Sequence, residues 1–295
     1  MRWRPARTGS AIMRFALPAA VAPGRGGERV TEWAPNDLGD LENAVDLLEN
    51  PGLVAKISDA VGTPIEYVLD RLPRGAGDKI SKAVHASLVA ALDTAVVTLN
   101  TGRRGRPRLR RHVAAVGVTG GLGGAFGLFA LPIELPVTTA IILRSIADVA
   151  RSQGEDLSEP ESRLACLEVF AMGGSSEADD ASESGYFAVR AALARAVSEA
   201  AKYVAEKSVI EDGAPVIVRL LAQLAARFNT VVGEKIMAQG VPVVGALGGA
   251  AINILFIEHF QDMARGHFTV RRLERTYGAD EVKQRYGEIL GSARP

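Results

Sequence analysis

Two long stretches without a charged residue constrain this chain more than any other feature. Residues 113–133 and 236–257 contain no lysine, arginine, aspartate or glutamate. Glycines recur in them at helical spacing: Gly117, Gly120, Gly121, Gly124 and Gly127 in the first run, and Gly245, Gly248 and Gly249 in the second. Each interior glycine costs a helix ~1 kcal/mol relative to alanine. Close helix packing offsets that cost, so we expect the two glycine faces to pack against each other or against a second copy.

The remainder of the sequence predicts an all-α fold. Aromatic residues make up only 5% of the chain, a composition that suits packed helices better than a β-sandwich. Apolar residues recur every three or four positions over residues 78–99, and no stretch alternates as a strand does. We predict a helical bundle in which the two glycine-rich apolar helical segments are packed together, with residues 35–290 as a single domain. Residues 1–34 are expected to be a disordered leader or the product of a misassigned start.

The charge distribution points to a membrane surface and away from nucleic acid. The 34 basic and 34 acidic residues give zero net charge, which argues against a nucleic-acid partner. A dense arginine cluster nevertheless precedes the first glycine run: Arg103, Arg104, Arg106, Arg108, Arg110 and Arg111. Clustered basic residues attract anionic lipid headgroups, with ~1 kcal/mol per charge near the surface. We therefore expect this cluster to contact lipid headgroups.

A helical hairpin that turns at residues 131–136 fits this charge pattern. It keeps the arginine cluster on the same side as Arg144 and Arg151, as the positive-inside tendency requires, whereas one full crossing would separate them. The stretch 113–143 is also too short for two complete crossings of ~20 residues each. Such a hairpin either dips into one leaflet or forms the buried core of a soluble bundle, and the sequence leaves both readings open.

Several polar residues near the apolar runs are candidates for a site. Glu134 lies between two prolines in apolar surroundings, where its pKa would be raised by burial unless an arginine pairs with it. Arg144, Asp148 and Arg151 have the spacing of intrahelical salt bridges. Asn253, in the second apolar run, is expected to hydrogen-bond across the bundle.

His259, Asp262 and His267 are the only grouping that looks like metal ligands. Their spacing matches no known metal-binding motif, so we predict neither a metal nor a cofactor. The single cysteine, Cys166, rules out a disulfide within one chain and a cysteine-based zinc cage. No nucleophile elbow, phosphate-binding loop or dinucleotide fingerprint is found, which favours a non-enzymatic protein over an enzyme.

Three stretches resemble the EcsC family of bacterial proteins. They are LPIELPVTT at 131–139 with RSIA at 144–147, the run from Gly245 to Asn253 with HFQDMAR at 259–265, and YFAVR at 186–190. The resemblance covers roughly residues 40–288. The family takes its name from a gene beside an ABC transporter operon, so the resemblance implies a membrane-linked accessory role by association. It transfers no catalytic residue.

These observations support two hypotheses of different classes. The first is a cytoplasmic, membrane-associated helical accessory protein at the inner face of the cell membrane, linked to an ABC transporter or secretion system. Its expected partners are the membrane surface or lipid, a transporter subunit, or a second copy of the chain. The second is a soluble, hydrolase-like all-α enzyme with a polar pocket lined by Glu134, Asp262 and His267. That alternative predicts that the three side chains converge in one cleft.

Overall fold

The chain forms a bundle of α-helices in a computed structural model. The structure describes residues 33–49, 53, 76–99, 112–116, 131–172, 185–207, 213–239 and 245–293. The helices are α1 (Pro35–Glu49), α2 (Ala76–Asp93), α3 (Leu131–Ser152), α4 (Pro160–Glu168), α5 (Gly185–Glu206), α6 (Pro215–Gln239), α7 (Gly245–Tyr277) and α8 (Ala279–Ala293). A π turn (Thr94–Thr98) extends α2, a 3₁₀ turn (Val169–Ala171) extends α4, and residues 112–116 are also helical. No strand occurs in these ranges, so the all-α prediction is confirmed.

Helix α2 shows how apolar spacing becomes packing. Ile80, Val84, Leu88 and Leu92 form one stripe along the helix, and all four are buried against the rest of the bundle. The stripe packs mainly on α3 and α6. Burying a large aliphatic side chain contributes roughly 1.5–3 kcal/mol, so this single face is a major part of the stability of the bundle.

Polar contacts fix the relative directions of the long helices. Helices α3 and α7 are joined by two hydrogen bonds, between Glu134 and Asn253 (2.9 Å) and between Ser145 and Gln261 (2.9 Å). Because the residue numbers increase along both helices from the first contact to the second, the two helices run in the same direction. Helix α6 runs in the opposite direction, because Lys235 near its end also reaches Glu134. Four phenylalanine rings pack against one another in the middle of the bundle, with the centroids of neighbouring rings 5.1–6.4 Å apart. They belong to Phe170, Phe228, Phe256 and Phe260.

Helix α1 crosses α7 at a glycine that no larger residue can replace without movement. A Cβ built on Gly266 would lie 2.6 Å from Cγ of Leu48. The missing side chain lets the two helices approach closely, and Leu48 fills the space. Trp33, just before α1, stacks on Tyr277 at the end of α7 with ring centroids 4.2 Å apart. Trp33, the first described residue, thus already contacts the bundle.

The two glycine runs are only partly within the described residues. Gly117, Gly120, Gly121 and Gly124 lie outside them. Gly245 and Gly248 lie in the first turn of α7, and Gly249 is buried there. The carbonyl of Val116, directly before Gly117, accepts a hydrogen bond from Asn253, four residues beyond Gly249 (3.4 Å). Val116 and Asn253 thus meet inside the bundle, while the packing of the two glycine faces stays a prediction.

The long helices give the molecule two contrasting ends. We call the region around Val116, Glu134, Lys235 and Asn253 the glycine end. We call the region around Asp37, Glu155, Arg271, Arg272 and Arg275 the charged end. Eighteen residues of α7 separate Asn253 from Arg271, which corresponds to ~27 Å at 1.5 Å per residue.

Candidate functional site

A buried polar cluster lies at the glycine end, where three helices supply one side chain each. The Oε1 atom of Glu134 accepts a hydrogen bond from the ammonium group of Lys235 (2.9 Å) and one from Nδ2 of Asn253 (2.9 Å). Lys235 and Asn253 have no exposed surface, and Glu134 is 7% exposed. The Nδ2 atom of Asn253 also reaches the carbonyl of Val116. One carboxylate oxygen therefore joins α3, α6 and α7.

The local sequence explains why a glutamate occupies this position. Pro132 stands in the first turn of α3, where its missing N–H leaves no hydrogen bond unmade. Glu134 also lies in that turn, so the helix dipole favours its negative charge. Burial lowers the pKa of Lys235, and the neighbouring charge and hydrogen bond of Glu134 act in the opposite direction. Lys235 also lies over the ring of Phe256, 4.9 Å from its centroid, which further favours the ammonium form.

A second glutamate lies next to this cluster along α6. Glu234 is buried, and burial raises its pKa to about 7. Its environment therefore differs from that of Glu134, whose carboxylate is held by a lysine and an amide. The glycine end thus contains one glutamate in an ion pair, Glu134, and one whose pKa is close to neutral pH, Glu234.

The two ends of the segment predicted to form a hairpin meet at Asp148. His112 approaches Asp148 through Nε2 (3.2 Å), and Arg151 donates to the same carboxylate (3.0 Å). Arg151 also donates to the carbonyl of Leu99, after the π turn. The predicted ion pair of Asp148 with Arg151 is present, while Arg144 lies exposed on the surface. Residue 112 directly follows the arginine cluster, whose six residues lie outside the described part of the chain.

His267 belongs to a different buried network, between α4, α5 and α7. Arg190 donates to the hydroxyl of Tyr186 (3.2 Å) and, through both terminal nitrogens, to Glu274 (2.7 and 3.0 Å). The Tyr186 hydroxyl and Nδ1 of His267 share a hydrogen bond (3.1 Å), whose direction is set by the histidine tautomer. Nε2 faces Glu168 at 3.7 Å.

Two pKa shifts in this network have burial as their largest cause. Burial lowers the pKa of His267 well below its usual value, with Arg190 and Arg271 adding to the effect. Burial raises the pKa of Glu168 to about 7, against the attraction of the same two arginines. At neutral pH His267 is therefore neutral, and the pKa of Glu168 lies close to that pH.

The structure does not bring Glu134, Asp262 and His267 into one pocket. Glu134 is bound by Asn253, and Asp262 lies nine residues farther along α7, about half a turn away around its circumference and ~14 Å along it. His267 lies ~21 Å from Asn253 along the same helix. Asp262 pairs instead with Arg265. The cleft expected for the enzyme alternative is thus replaced by three separate environments.

The histidine pair also has separate surroundings. His259 is buried with its ring edge against Phe260 (centroids 5.1 Å apart), while His267 bonds to Tyr186. Within the described ranges, no group of three or more histidine, cysteine, aspartate or glutamate side chains is placed to hold a metal ion.

Two important groups were not singled out from the sequence. Lys235 was overlooked because it stands at the edge of an uncharged run, and only the fold shows that it faces Glu134. At the charged end, Glu155 accepts hydrogen bonds from Arg271 (2.9 Å), Arg275 and Ser162 (2.9 Å). Burial acts to raise the pKa of Glu155, but these arginines hold that pKa below its ordinary value. The only sequence signal was the unusual density of arginine at 271–275.

Two helices in the described part of the chain are long and apolar enough to cross a membrane by length and composition. They are Gly77–Thr98 and Pro215–Ile236. This is weak support for a membrane location, because core helices of soluble proteins pass the same test. Neither helix is the first glycine run, which lies mostly outside the described residues.

Comparison with known proteins gives one result. The chain matches the sequence profile of the EcsC protein family over residues 47–273, which includes the whole of α2 to α6 and most of α7. No curated protein and no solved structure matches it.

Proposed function

Because the chain belongs to the EcsC protein family, we propose that it is a membrane-associated helical accessory protein at the inner face of the cell membrane. In this proposal the arginine cluster at 103–111 contacts anionic headgroups, and the stretch 113–143 forms a hairpin whose apolar surface enters the headgroup and acyl boundary. The bundle remains on the cytoplasmic side.

The contact of His112 with Asp148 is the observation that carries this proposal. It brings the residue that follows the arginine cluster to the part of α3 that contains Arg144 and Arg151. His112 therefore lies level with Asp148 and Arg151 on the other flank of the apolar segment, an arrangement that supports one-sided contact with an anionic surface. No acidic residue occurs from 103 to 133, so nothing within that stretch opposes the attraction.

Exposed apolar side chains add a second line of support. Ile133 is 76% exposed and Val137 is 46% exposed, and they lie one turn apart on the same face of α3. Burying them against acyl chains would remove their surface from water, with roughly 25 cal/mol per Å² as the driving force. Ile133 is the last residue of the uncharged run and Val137 follows four positions later, so the apolar sequence continues into α3.

The partner in this proposal is a membrane protein complex of the transporter or secretion class. The support is that the gene from which the family takes its name lies beside an ABC transporter operon. Self-association through the glycine faces is the competing possibility, since small residues on a helix face permit close packing with a second copy. Co-purification from detergent with a transporter subunit supports the first, and a homodimer that carries no other subunit supports the second.

Flotation of the full chain with vesicles tests the membrane proposal. We expect binding to vesicles that contain phosphatidylserine or phosphatidylglycerol, little binding to pure phosphatidylcholine, and release by high salt. A chain that stays unbound at every vesicle composition, in low salt, contradicts the proposal. Resistance to both salt and carbonate washes indicates that apolar segments are inserted.

A further inference from the structure

We infer that the cluster of Glu134, Lys235 and Asn253 is a lock that holds the start of α3 in the bundle and so keeps the protein on the membrane surface. This inference rests on the proposed function and specifies how insertion is controlled. We call residues 132–137 the tip, since they lie at the predicted turn of the hairpin.

The tip presents its charge to the protein and two of its apolar side chains to the outside. Ile133 and Val137 are exposed, whereas Glu134 and Leu135 are buried. A helix start on the surface of a soluble bundle normally has the opposite arrangement, with charge outward and apolar residues inward. The outer face of the tip is therefore already suited to hydrocarbon, and its inner face contains the one charge that opposes entry.

Glu134 is held from two sides. Lys235 approaches from α6 and Asn253 from α7, and both bind the same carboxylate oxygen. Asn253 also holds the carbonyl of Val116, which belongs to the other flank of the predicted hairpin. The same amide therefore ties both flanks of the hairpin to α7.

Moving the tip into a bilayer would break this ion pair in the least favourable surroundings. Glu134 would enter hydrocarbon without its lysine, and Lys235 would remain in the bundle without its carboxylate. An isolated charge is strongly disfavoured in either place. The ion pair thus opposes insertion even though the neighbouring side chains favour it. With both charges removed, the apolar character of the tip decides its location.

The test compares two double variants of the full chain bound to anionic vesicles. In the first, Glu134→Gln is combined with Lys235→Met, which removes both charges with little change in volume. In the matched control, Arg190→Met is combined with Glu274→Gln, which removes the bidentate pair between α5 and α7 away from the glycine end. Circular dichroism and thermal unfolding establish that each variant is folded. The readout is the fraction that resists first a salt wash and then a carbonate wash.

We expect the wild-type chain and the control to be released by salt. The carbonate-resistant fraction of the Glu134→Gln/Lys235→Met variant should rise about tenfold, because the charge that opposes insertion is gone. If this variant does not fold, Glu134→Gln alone replaces it, since glutamine still accepts a hydrogen bond from Asn253; a smaller rise is then expected.

Three results would overturn the lock. In the first, the variant is released by salt as fully as the wild type; the membrane proposal then stands, because binding itself is unchanged. In the second, the wild-type chain already resists carbonate, so that the ion pair does not prevent insertion. In the third, the control shows the same rise, which would indicate general loosening of the bundle. Failure of the wild-type chain to bind any vesicle is distinguishable from all three and removes the proposed function itself.

Discussion

The two ends of the bundle hold buried charge in different ways. At the charged end, Glu155 is shared by Arg271 and Arg275, and Arg272 bridges Asp37 and Asp40 on α1 (2.7 and 2.6 Å). Several of these side chains reach solvent, and Glu155 and Arg272 each have two oppositely charged partners. At the glycine end, both members of the ion pair are buried, and Lys235 forms its one ion pair in the described part of the chain with Glu134.

This difference shows where the fold is redundant and where it is not. A network with alternative partners loses little when one member is removed, because the remaining charges still compensate one another. A fully buried pair has no such reserve, since removing one partner leaves the other uncompensated in an apolar region. The charged end therefore fixes the helices relative to one another, and the glycine end depends on one carboxylate.

Single substitutions at the two ends should separate these behaviours most strongly. Lys235→Met leaves Glu134 buried without its cation, and we expect a loss of about 3–5 kcal/mol in the free energy of unfolding. Arg275→Met leaves Arg271 on Glu155 and removes a side chain that is 39% exposed, so the expected loss is about 0–1 kcal/mol. Urea denaturation of both variants measures the difference. Equal losses would show that the two ends are equally redundant.

The membrane contact should depend on where positive charge lies and not on its total. Changing Arg103, Arg104 and Arg106 to glutamine should weaken binding to anionic vesicles by about 3 kcal/mol, or roughly a hundredfold, at ~1 kcal/mol per charge. The matched control changes three other arginines to glutamine, on α5, α6 and α8: Arg195, Arg219 and Arg285. The control variant has the same net charge as the test variant. Titration of each triple variant with vesicles at low salt gives the affinities. A control that loses as much as the test variant contradicts a localised contact.

Replacing glycine by alanine should have opposite effects on the free energy of unfolding at two positions. Gly266→Ala places a Cβ 2.6 Å from Leu48, which forces α1 and α7 apart, and we expect a loss of about 1–3 kcal/mol. At Gly233, on α6 near the glycine end, nothing lies within 4 Å of a Cβ, so alanine should add about 0.5–1 kcal/mol through helix propensity. Thermal unfolding of the two variants decides this. A loss at Gly233 would indicate close packing there that involves other parts of the chain.

The sequence was sufficient for the fold class but only partly for the site. Spacing of apolar residues, as in the stripe from Ile80 to Leu92, indicates a helix directly, because period and burial follow from local geometry. The hydrogen bond of Asn253 across the bundle was also predicted. Lys235 was not, because its partner lies 101 residues away, and only the antiparallel packing of α6 on α3 brings them together. The pairing of Glu134 with a lysine instead of an arginine follows from the same long-range contact.

The charged end shows the same limit more clearly. Nothing near Glu155 in the sequence indicates that it meets Arg271 and Arg275, which are 116 and 120 residues away. The predicted convergence of Glu134, Asp262 and His267 in one pocket was wrong for the opposite reason. Asp262 and His267 are close in sequence, but the helical repeat directs them to different neighbours, Arg265 and Tyr186. Nearness along a chain predicts shared surroundings only when the helical positions also agree.

The smallest predicted effect concerns two glutamates whose pKa is raised to about 7 by burial. Glu234 lies by the glycine end, and Glu168 lies beside His267. A carboxyl whose folded-state pKa is raised stabilises the fold at low pH and loses that contribution as pH rises through the folded value. The free energy of unfolding should therefore fall by about 1 kcal/mol per glutamate between pH 6.5 and pH 8. Below pH 6.5, His267 acts in the opposite direction because its pKa is lowered. Glu168→Gln and Glu234→Gln should each flatten part of this dependence in urea denaturation at a series of pH values. If only Glu168→Gln does so, water reaches Glu234 and the glycine end is less dry than its burial indicates.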